Sequence, residues 1–176
     1  MSRGGVTTGL VAKLNYAASM RKNLFLVIGL FLASSHLAQA QEREWSLDAT
    51  DQEAFLLFGV PNTDDVGISF WCKIGSKIIS AYMPASFAKL RAGETTMMNL
   101  SVDGKIFRIP AKTAQDSTKG KFTVEGSFSA KDKLVESLTS GQQLSVAIKG
   151  HLASYPLNDA DFPGLISACN GDIGGN

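Results

Sequence analysis

The sequence has few of the residues on which metal sites and nucleophilic catalysis depend. It contains two cysteines and two histidines, and His36 lies in the first 40 residues, which we expect to be removed. Zinc sites take their ligands mainly from cysteine and histidine, and the mature chain has too few of either. The sequence also has no C-x-x-C pair, G-x-S-x-G turn, glycine-rich phosphate loop or EF-hand spacing. We therefore expect no cofactor and no metal, and the sequence does not indicate an enzyme.

Acidic residues are absent from the first 40 residues. From Met20 the sequence reads MRKNLFLVIGLFLASSHLAQA, with two cations, an apolar run and an A-x-A ending. This order is typical of a secretory signal and predicts cleavage after Ala40, with Met20 as the natural start. The apolar run is shorter than the about 20 residues that span a bilayer, so we expect no stable membrane span after cleavage. The predicted product, residues 41–176, is a single exported domain.

Clusters of like charge are also missing from the predicted mature chain. Four of the 17 cations and none of the 16 acids lie in the first 40 residues, which leaves 13 cations and a net charge of −3. The cations are scattered without a basic stripe, so the sequence excludes a nucleic-acid footprint. We expect a periplasmic or secreted protein in an oxidising compartment.

Short apolar runs separated by Gly, Asn, Asp or Ser follow a polar lead at residues 41–53. Such spacing predicts a mainly β fold, an antiparallel sandwich or barrel of six to seven strands. The strongest local signal is Asp103-Gly104, which favours a type I′ hairpin. Its register would put Val102 opposite Lys105 and the apolar residues of both strands on one face. The other predicted strands cover residues 54–60, 68–74, 77–83, 121–128 and 144–149.

Two short helices are predicted in the second half of the chain. The segment SAKDKLVESLTSG has a capping signature at Ser129 and apolar residues four apart. The segment NDADFPGLISACNGD has Asp159 or Asp161 as its N-cap, and its helix is predicted to reach about Ala168. A helical turn at Ser86 and a loose C-terminal tail are also expected.

Cys72 lies within the predicted strand GISFWCKIGS, and alternation turns it toward the core with Ile68, Phe70 and Ile74. Cys169 closes the apolar face of the last predicted helix, at i+7 from Phe162. We predict a disulfide between Cys72 and Cys169 that joins strand and helix. The alternatives are a reactive thiol, for which no histidine is near in sequence, and unpaired buried cysteines.

The same alternation turns Trp71 away from the core. A large aromatic residue on an outer face is either covered by another element or part of an interaction patch. Tyr82 and Ile78 share the outward face of the neighbouring run, and Asp64 and Asp65 lie in the loop before the strand. These five residues are the candidate interaction surface.

His151 is the single histidine of the predicted mature chain. It could join a serine and Asp159 or Asp161 in a hydrolase, but an exposed or capping role explains it more simply. Asp159 and Asp161 are also explained as helix caps, and Asp64 and Asp65 as loop residues. A carboxylate pair for glycoside hydrolysis would have to flank a cleft.

The stretch TMMNLSVDGK, the ending YPLNDADFPGLISAC, the signal and the domain size resemble the small exported proteins of the invasion-associated locus B type of Gram-negative bacteria. The resemblance implies a periplasmic or cell-envelope β-sandwich with no known catalysis and an envelope or host protein as partner. Our first hypothesis is a non-enzymatic binding module. The alternatives are an inhibitor of a secreted enzyme such as lysozyme and a small periplasmic hydrolase.

Overall fold

The computed structural model describes residues 42–85, 90–115 and 121–172. The predicted signal segment, the helical turn at Ser86 and the end of the tail lie outside these residues. The described part contains nine strands and two helices in the following order: β1 Glu44–Ala49, β2 Glu53–Gly59, β3 Val66–Lys73, β4 Ile78–Pro84, β5 Thr95–Val102, β6 Lys105–Gln115, β7 Phe122–Ser129, α1 Lys133–Ser140, β8 Gln143–Ile148, β9 His151–Pro156 and α2 Phe162–Asn170.

All nine strands pair antiparallel in a single sheet, in the order β1-β2-β3-β4-β7-β6-β5-β8-β9. The sheet curls into a half-barrel rather than dividing into the two sheets of a sandwich. The prediction of six to seven strands was therefore too low, because it did not include the two edge strands β1 and β9. β1 and β9 each have a pairing neighbour on one side, and five of the six residues of β1 and three of the six of β9 are exposed. The sequence of β1, EWSLDA, alternates polar and apolar residues, and this strand signal was missed, whereas HLASYP in β9 does not alternate.

Two side chains join the β9 edge to the strands at the other end of the sheet order. The Trp45 indole N–H on β1 donates to the Pro156 carbonyl oxygen on β9 at 2.5 Å. The Tyr155 hydroxyl on β9 donates to the Gly67 carbonyl oxygen on β3 at 3.0 Å. Since β1 and β9 do not pair with each other, these contacts bring the edges together without closing the barrel.

The inner face of the sheet is the hydrophobic core. Residues of one parity are buried on every interior strand, including Leu56, Phe70, Val124 and Val146. The predicted hairpin is confirmed, with Val102 opposite Lys105, and the next apolar pairs are Leu100 with Phe107 and Met98 with Ile109. Asp103 and Gly104 have φ values of 48° and 87°, as a type I′ turn requires.

The two helices lie at the same end of the sheet, because α1 follows the end of β7 and α2 follows the end of β9. The N-cap of α1 is Asp132, which accepts a hydrogen bond from the Leu134 N–H at 2.9 Å, so the predicted cap at Ser129 was three residues early. Asp161 caps α2, and Gly171 ends it with φ 86°. The opposite end, at the loop of residues 60–65 and the turn after β8, carries neither helix.

The predicted disulfide joins Cys72 on β3 to Cys169 on α2, with the two Cα atoms 5.7 Å apart. Both cysteines are buried. The turn after β3 is also fixed to the helix, since the Lys77 N–H donates to the Cys169 carbonyl oxygen at 3.0 Å. α2 therefore packs over the inner face of β1, β2 and β3. Among the described residues, neither helix has the length and apolar character that crossing a bilayer requires.

Candidate functional site

The outer face of β2, β3 and β4 has a cluster of large apolar side chains. Phe55 is paired with Trp71 across β2 and β3, and their rings stack with centroids 6.3 Å apart and planes at 19°. Leu57 follows Phe55 by two residues on β2, and Tyr82 lies on β4. Both Leu57 and Tyr82 pair with Ser69 of β3. All four side chains are half-buried. We call this set, Phe55, Leu57, Trp71 and Tyr82, the aromatic shelf.

Small hydroxyl residues form the floor of the aromatic shelf. Ser69 lies between Leu57 and Tyr82 in the cross-strand register and is 6% exposed. Ser80 lies beside Trp71, and its hydroxyl bonds to that of Ser127 at 2.9 Å. The serine side chains are much smaller than their neighbours Leu57, Trp71 and Tyr82. The outer face of the sheet therefore has a depression above the serines. Such a depression can accept an apolar group while hydroxyls and backbone supply hydrogen bonds.

A groove of about 950 Å³ extends from the aromatic shelf across the open end of the sheet. At this end the groove is lined by Asp64, Asp65, Arg43, His151 and Tyr155. Arg43 donates to the Asp65 carboxylate at 2.6 Å. The groove therefore joins an apolar wall to a rim that contains both signs of charge.

The loop of residues 60–65 is held in one conformation by its own hydrogen bonds. The Val60 N–H donates to the Asp65 carbonyl oxygen at 3.0 Å, and the Thr63 hydroxyl donates to the Val60 carbonyl oxygen at 2.8 Å. A Cβ added to Gly59 would lie 2.5 Å from the Asp65 carbonyl oxygen, so a larger residue would displace the loop. Asp64 and Asp65, the acidic residues of the rim, are thus positioned before any ligand arrives.

Four of the five predicted surface residues line this groove, namely Trp71, Tyr82, Asp64 and Asp65. Ile78 shares the outer face but is 47% exposed at the helix end of β4, outside the lining of the groove. The prediction missed Phe55, whose outward direction was readable from the alternation of AFLLF. It also missed Arg43 and Tyr155, which reach the groove only through the unpredicted strands β1 and β9.

The structure separates His151 from its predicted acidic partners. His151 begins β9 at the open end, whereas Asp159 and Asp161 follow the other end of that strand. Six residues of strand span roughly 17 Å. The Asp161 carboxylate accepts from the Gly164 N–H at 2.9 Å, which is its capping contact. Within the described ranges, the structure groups no three His, Cys, Asp or Glu side chains as metal ligands.

The turn between β8 and β9 is tied to the start of β5. Lys149 donates a hydrogen bond to the Glu94 carboxylate, and the Arg91 N–H donates to the same group at 3.3 Å. The bond from Lys149 has the larger effect and that from Arg91 the smaller, and both hold the pKa of Glu94 below its ordinary value. The contact fixes the rim of the sheet next to His151.

Burial of the Tyr155 phenol raises its pKa from 10.0 to about 12, although the charge of Arg43 acts in the opposite direction. The folded state therefore holds this proton more tightly than the unfolded state. Its contribution to stability is complete below pH 10 and is lost as the pH rises toward about 12.

Urea unfolding across this pH range should show a steeper loss of unfolding free energy for the wild type than for Tyr155→Phe. Parallel losses in the two proteins would contradict the assignment.

Comparison of the chain with protein-family models, with curated proteins and with solved structures gave no match. The geometry of the groove and of the segments around it is therefore what bears on the function.

Proposed function

We propose that the protein is an exported, non-enzymatic binding module that holds an envelope or host protein in the groove beside the aromatic shelf. The observation that carries this proposal is the stack of Phe55 on Trp71 on the outer face of the sheet, beside the buried floor residue Ser69. Clustered aromatic residues on an outer face are typical of interaction sites, where tryptophan and tyrosine supply much of the binding energy.

The chemistry of the groove indicates which groups of a partner protein it would bind. An apolar or aromatic side chain of the partner enters the depression above Ser69 and displaces water from Trp71 and Tyr82. Polar groups around it face Asp64 and the Arg43–Asp65 pair at the rim. An apolar centre with a polar rim is the usual composition of a protein interface.

The exported location is part of the same proposal. The segment before residue 41 has the order of a secretory signal, and cleavage after Ala40 would release the β domain into the periplasm. The disulfide between Cys72 and Cys169 supports an oxidising compartment. The resemblance to exported proteins of the invasion-associated locus B type is consistent with this location.

Replacement of Trp71 tests the proposal. The exported protein is purified from its own periplasm under mild conditions, the co-purifying protein is identified, and its affinity is measured for each variant by titration. Trp71→Ala should weaken binding at least about 30-fold, the loss expected for a hot spot of about 2 kcal/mol.

Ile78→Ala is the matched control, because Ile78 is an exposed apolar residue of the same face that lies outside the groove. It should bind as the wild type does, and both variants should unfold near the wild-type temperature. Equal affinities of the Trp71→Ala and wild-type proteins would refute the proposed site.

A further inference from the structure

Among the described residues, β9 pairs with a strand on one side only, and the donors and acceptors of its other edge, here called the free edge, follow from the turn before it. Lys149 and Gly150 have φ values of 47° and 83° and form a two-residue type I′ turn between Ile148 and His151. The residues that flank such a turn exchange both backbone hydrogen bonds, and bonded and non-bonded pairs then alternate. His151, Ala153 and Tyr155 consequently bond to β8.

The alternate residues of β9, Leu152, Ser154 and Pro156, therefore direct their backbone groups away from β8. One observed contact agrees with this assignment, because the Pro156 carbonyl oxygen accepts from the Trp45 indole across the edge. Proline has no N–H to offer, and edge positions tolerate it for that reason. Leu152 is 66% exposed, and Ser154 is exposed as well. By the hairpin register, both residues have their N–H and carbonyl oxygen on the edge that faces away from β8.

The two edges of the sheet differ in how well they resist pairing. Glu44 and Asp48 carry negative charge on β1, and α2 packs against that strand, where a Cβ on Gly164 would lie 2.6 Å from the Leu47 side chain. β9 has the sequence HLASYP, with neither an acid nor a lysine or arginine. Charges on an edge strand discourage its pairing with another chain. The β9 edge lacks this protection.

We propose that β9 pairs antiparallel with β9 of a second copy of this chain, about a two-fold axis at Ala153. In this register Leu152 lies opposite Ser154 of the second copy, and Ser154 lies opposite Leu152 of the second copy. Both residues of each pair have their N–H and carbonyl oxygen on the free edge, so each pair exchanges two hydrogen bonds. Leu152 and Ser154 of the free edge are thus complementary to their copies, as a two-fold interface requires, and Pro156, whose carbonyl oxygen accepts from Trp45, takes no part in the pairing.

Side chains fit the same register. The two Ala153 residues face each other in a non-bonded pair, where Cα atoms approach to about 4.5 Å and a methyl group is easily accepted. Leu152 gains apolar contact on the outer face, where it is now exposed. One strand pair buries less surface than a standard interface, so the dimer is reversible and forms at micromolar to millimolar subunit concentration.

The dimer would place two grooves next to each other. His151, Ala153 and Tyr155 line the groove with their inward side chains, while the alternate residues of the same strand form the proposed interface. A partner with two copies of its binding segment would then be held more tightly than either groove alone could hold it. The dimer itself does not depend on the function of the groove.

Sedimentation of the purified exported protein over subunit concentrations up to about 1 mM tests the proposal. Leu152→Pro removes a free-edge N–H without removing a bond to β8, and should weaken the dimer at least about tenfold. Leu152→Ala keeps that N–H and is the matched control. Its dissociation constant for the dimer should lie within about tenfold of the wild-type value and below the value for the proline variant. Ser154→Lys adds a charge to the free edge and should weaken the dimer as well, which tests the proposal if the proline variant does not fold.

Hydrogen exchange in the wild type gives a second measurement. The amides of Leu152 and Ser154 should be protected in concentrated solution and exposed on dilution, whereas the Ala153 amide should stay protected in both. A wild-type protein that remains monomeric at the highest concentration would overturn the proposal. A dimer that is unchanged by both Leu152→Pro and Ser154→Lys would overturn it as well.

Discussion

Replacing Cys72 and Cys169 together with alanine is expected to lower the free energy of unfolding by about 4 kcal/mol. The bridge joins residues that are 97 positions apart, and cross-linking a loop of about this length removes much of the entropy of the unfolded chain. A domain has a total stability of only about 5 to 15 kcal/mol, so the loss is a large part of it. Urea unfolding of the oxidised wild type and of the double variant measures the difference.

The native position of α2 should survive this change, because other contacts also hold the helix. The Lys77 N–H donates to the Cys169 carbonyl oxygen, and Phe162 packs on Phe70 with ring centroids 5.0 Å apart. The circular dichroism spectrum of the double variant should therefore match that of the wild type in the absence of urea. A loss below about 1 kcal/mol would show that the bridge adds little beyond these contacts.

The interior of the sheet could be predicted because its strands are buried on one face. In β7, Val124 and Phe128 are buried while Glu125 and Ser127 of the other parity are not, and this period-two pattern is visible in the sequence. The same reasoning put Cys72 on the inner face and Trp71 on the outer face. The opposite directions of Cys72 and Trp71 followed from one alternation, and the disulfide also depended on the helical period that places Cys169 on an apolar face.

The two edge strands were missed, and both are stabilised by contacts between distant parts of the chain. Trp45 belongs to a polar segment, and its partner Pro156 is 111 residues away. Tyr155 reaches a carbonyl oxygen 88 residues earlier in the sequence. The sequence EWSLDA of β1 alternates polar and apolar residues and could have been read as a strand, whereas HLASYP of β9 has no such alternation. The curl of the sheet depends on these contacts, so its form was not readable either.

The candidate site was predictable to the same degree. Trp71 and Tyr82 were found from their parity, whereas the stacking of Phe55 on Trp71 required the pairing of β2 with β3. Arg43 is ordinary in the sequence, and it becomes part of the groove because β1 places it next to Asp65. A site built on one sheet face is thus partly encoded in local patterns and partly in strand order.

Phe70→Ala is expected to destabilise the protein by about 4 kcal/mol, within the range for removing a fully buried phenylalanine. Phe70 is 0% exposed, and its ring contacts Phe162 on α2 at 5.0 Å and Phe128 on β7 at 6.4 Å. Trp45 on β1 lies 6.3 Å away between centroids. Removal of this ring would leave a cavity at the point where α2 and both sides of the curled sheet meet.

Phe55→Ala is the control, because it removes the same group from the adjacent strand on the opposite face. Phe55 is half-buried against Trp71, so its loss should cost about 1 kcal/mol and act mainly on binding in the groove. Urea unfolding and partner titration of both variants separate the two faces of the sheet. If Phe55→Ala costs as much stability as Phe70→Ala, the outer face is part of the folding core and the aromatic shelf is not a free binding surface. If the costs differ as expected, the sheet is stabilised by its inner face, and its outer aromatic residues are available for recognition.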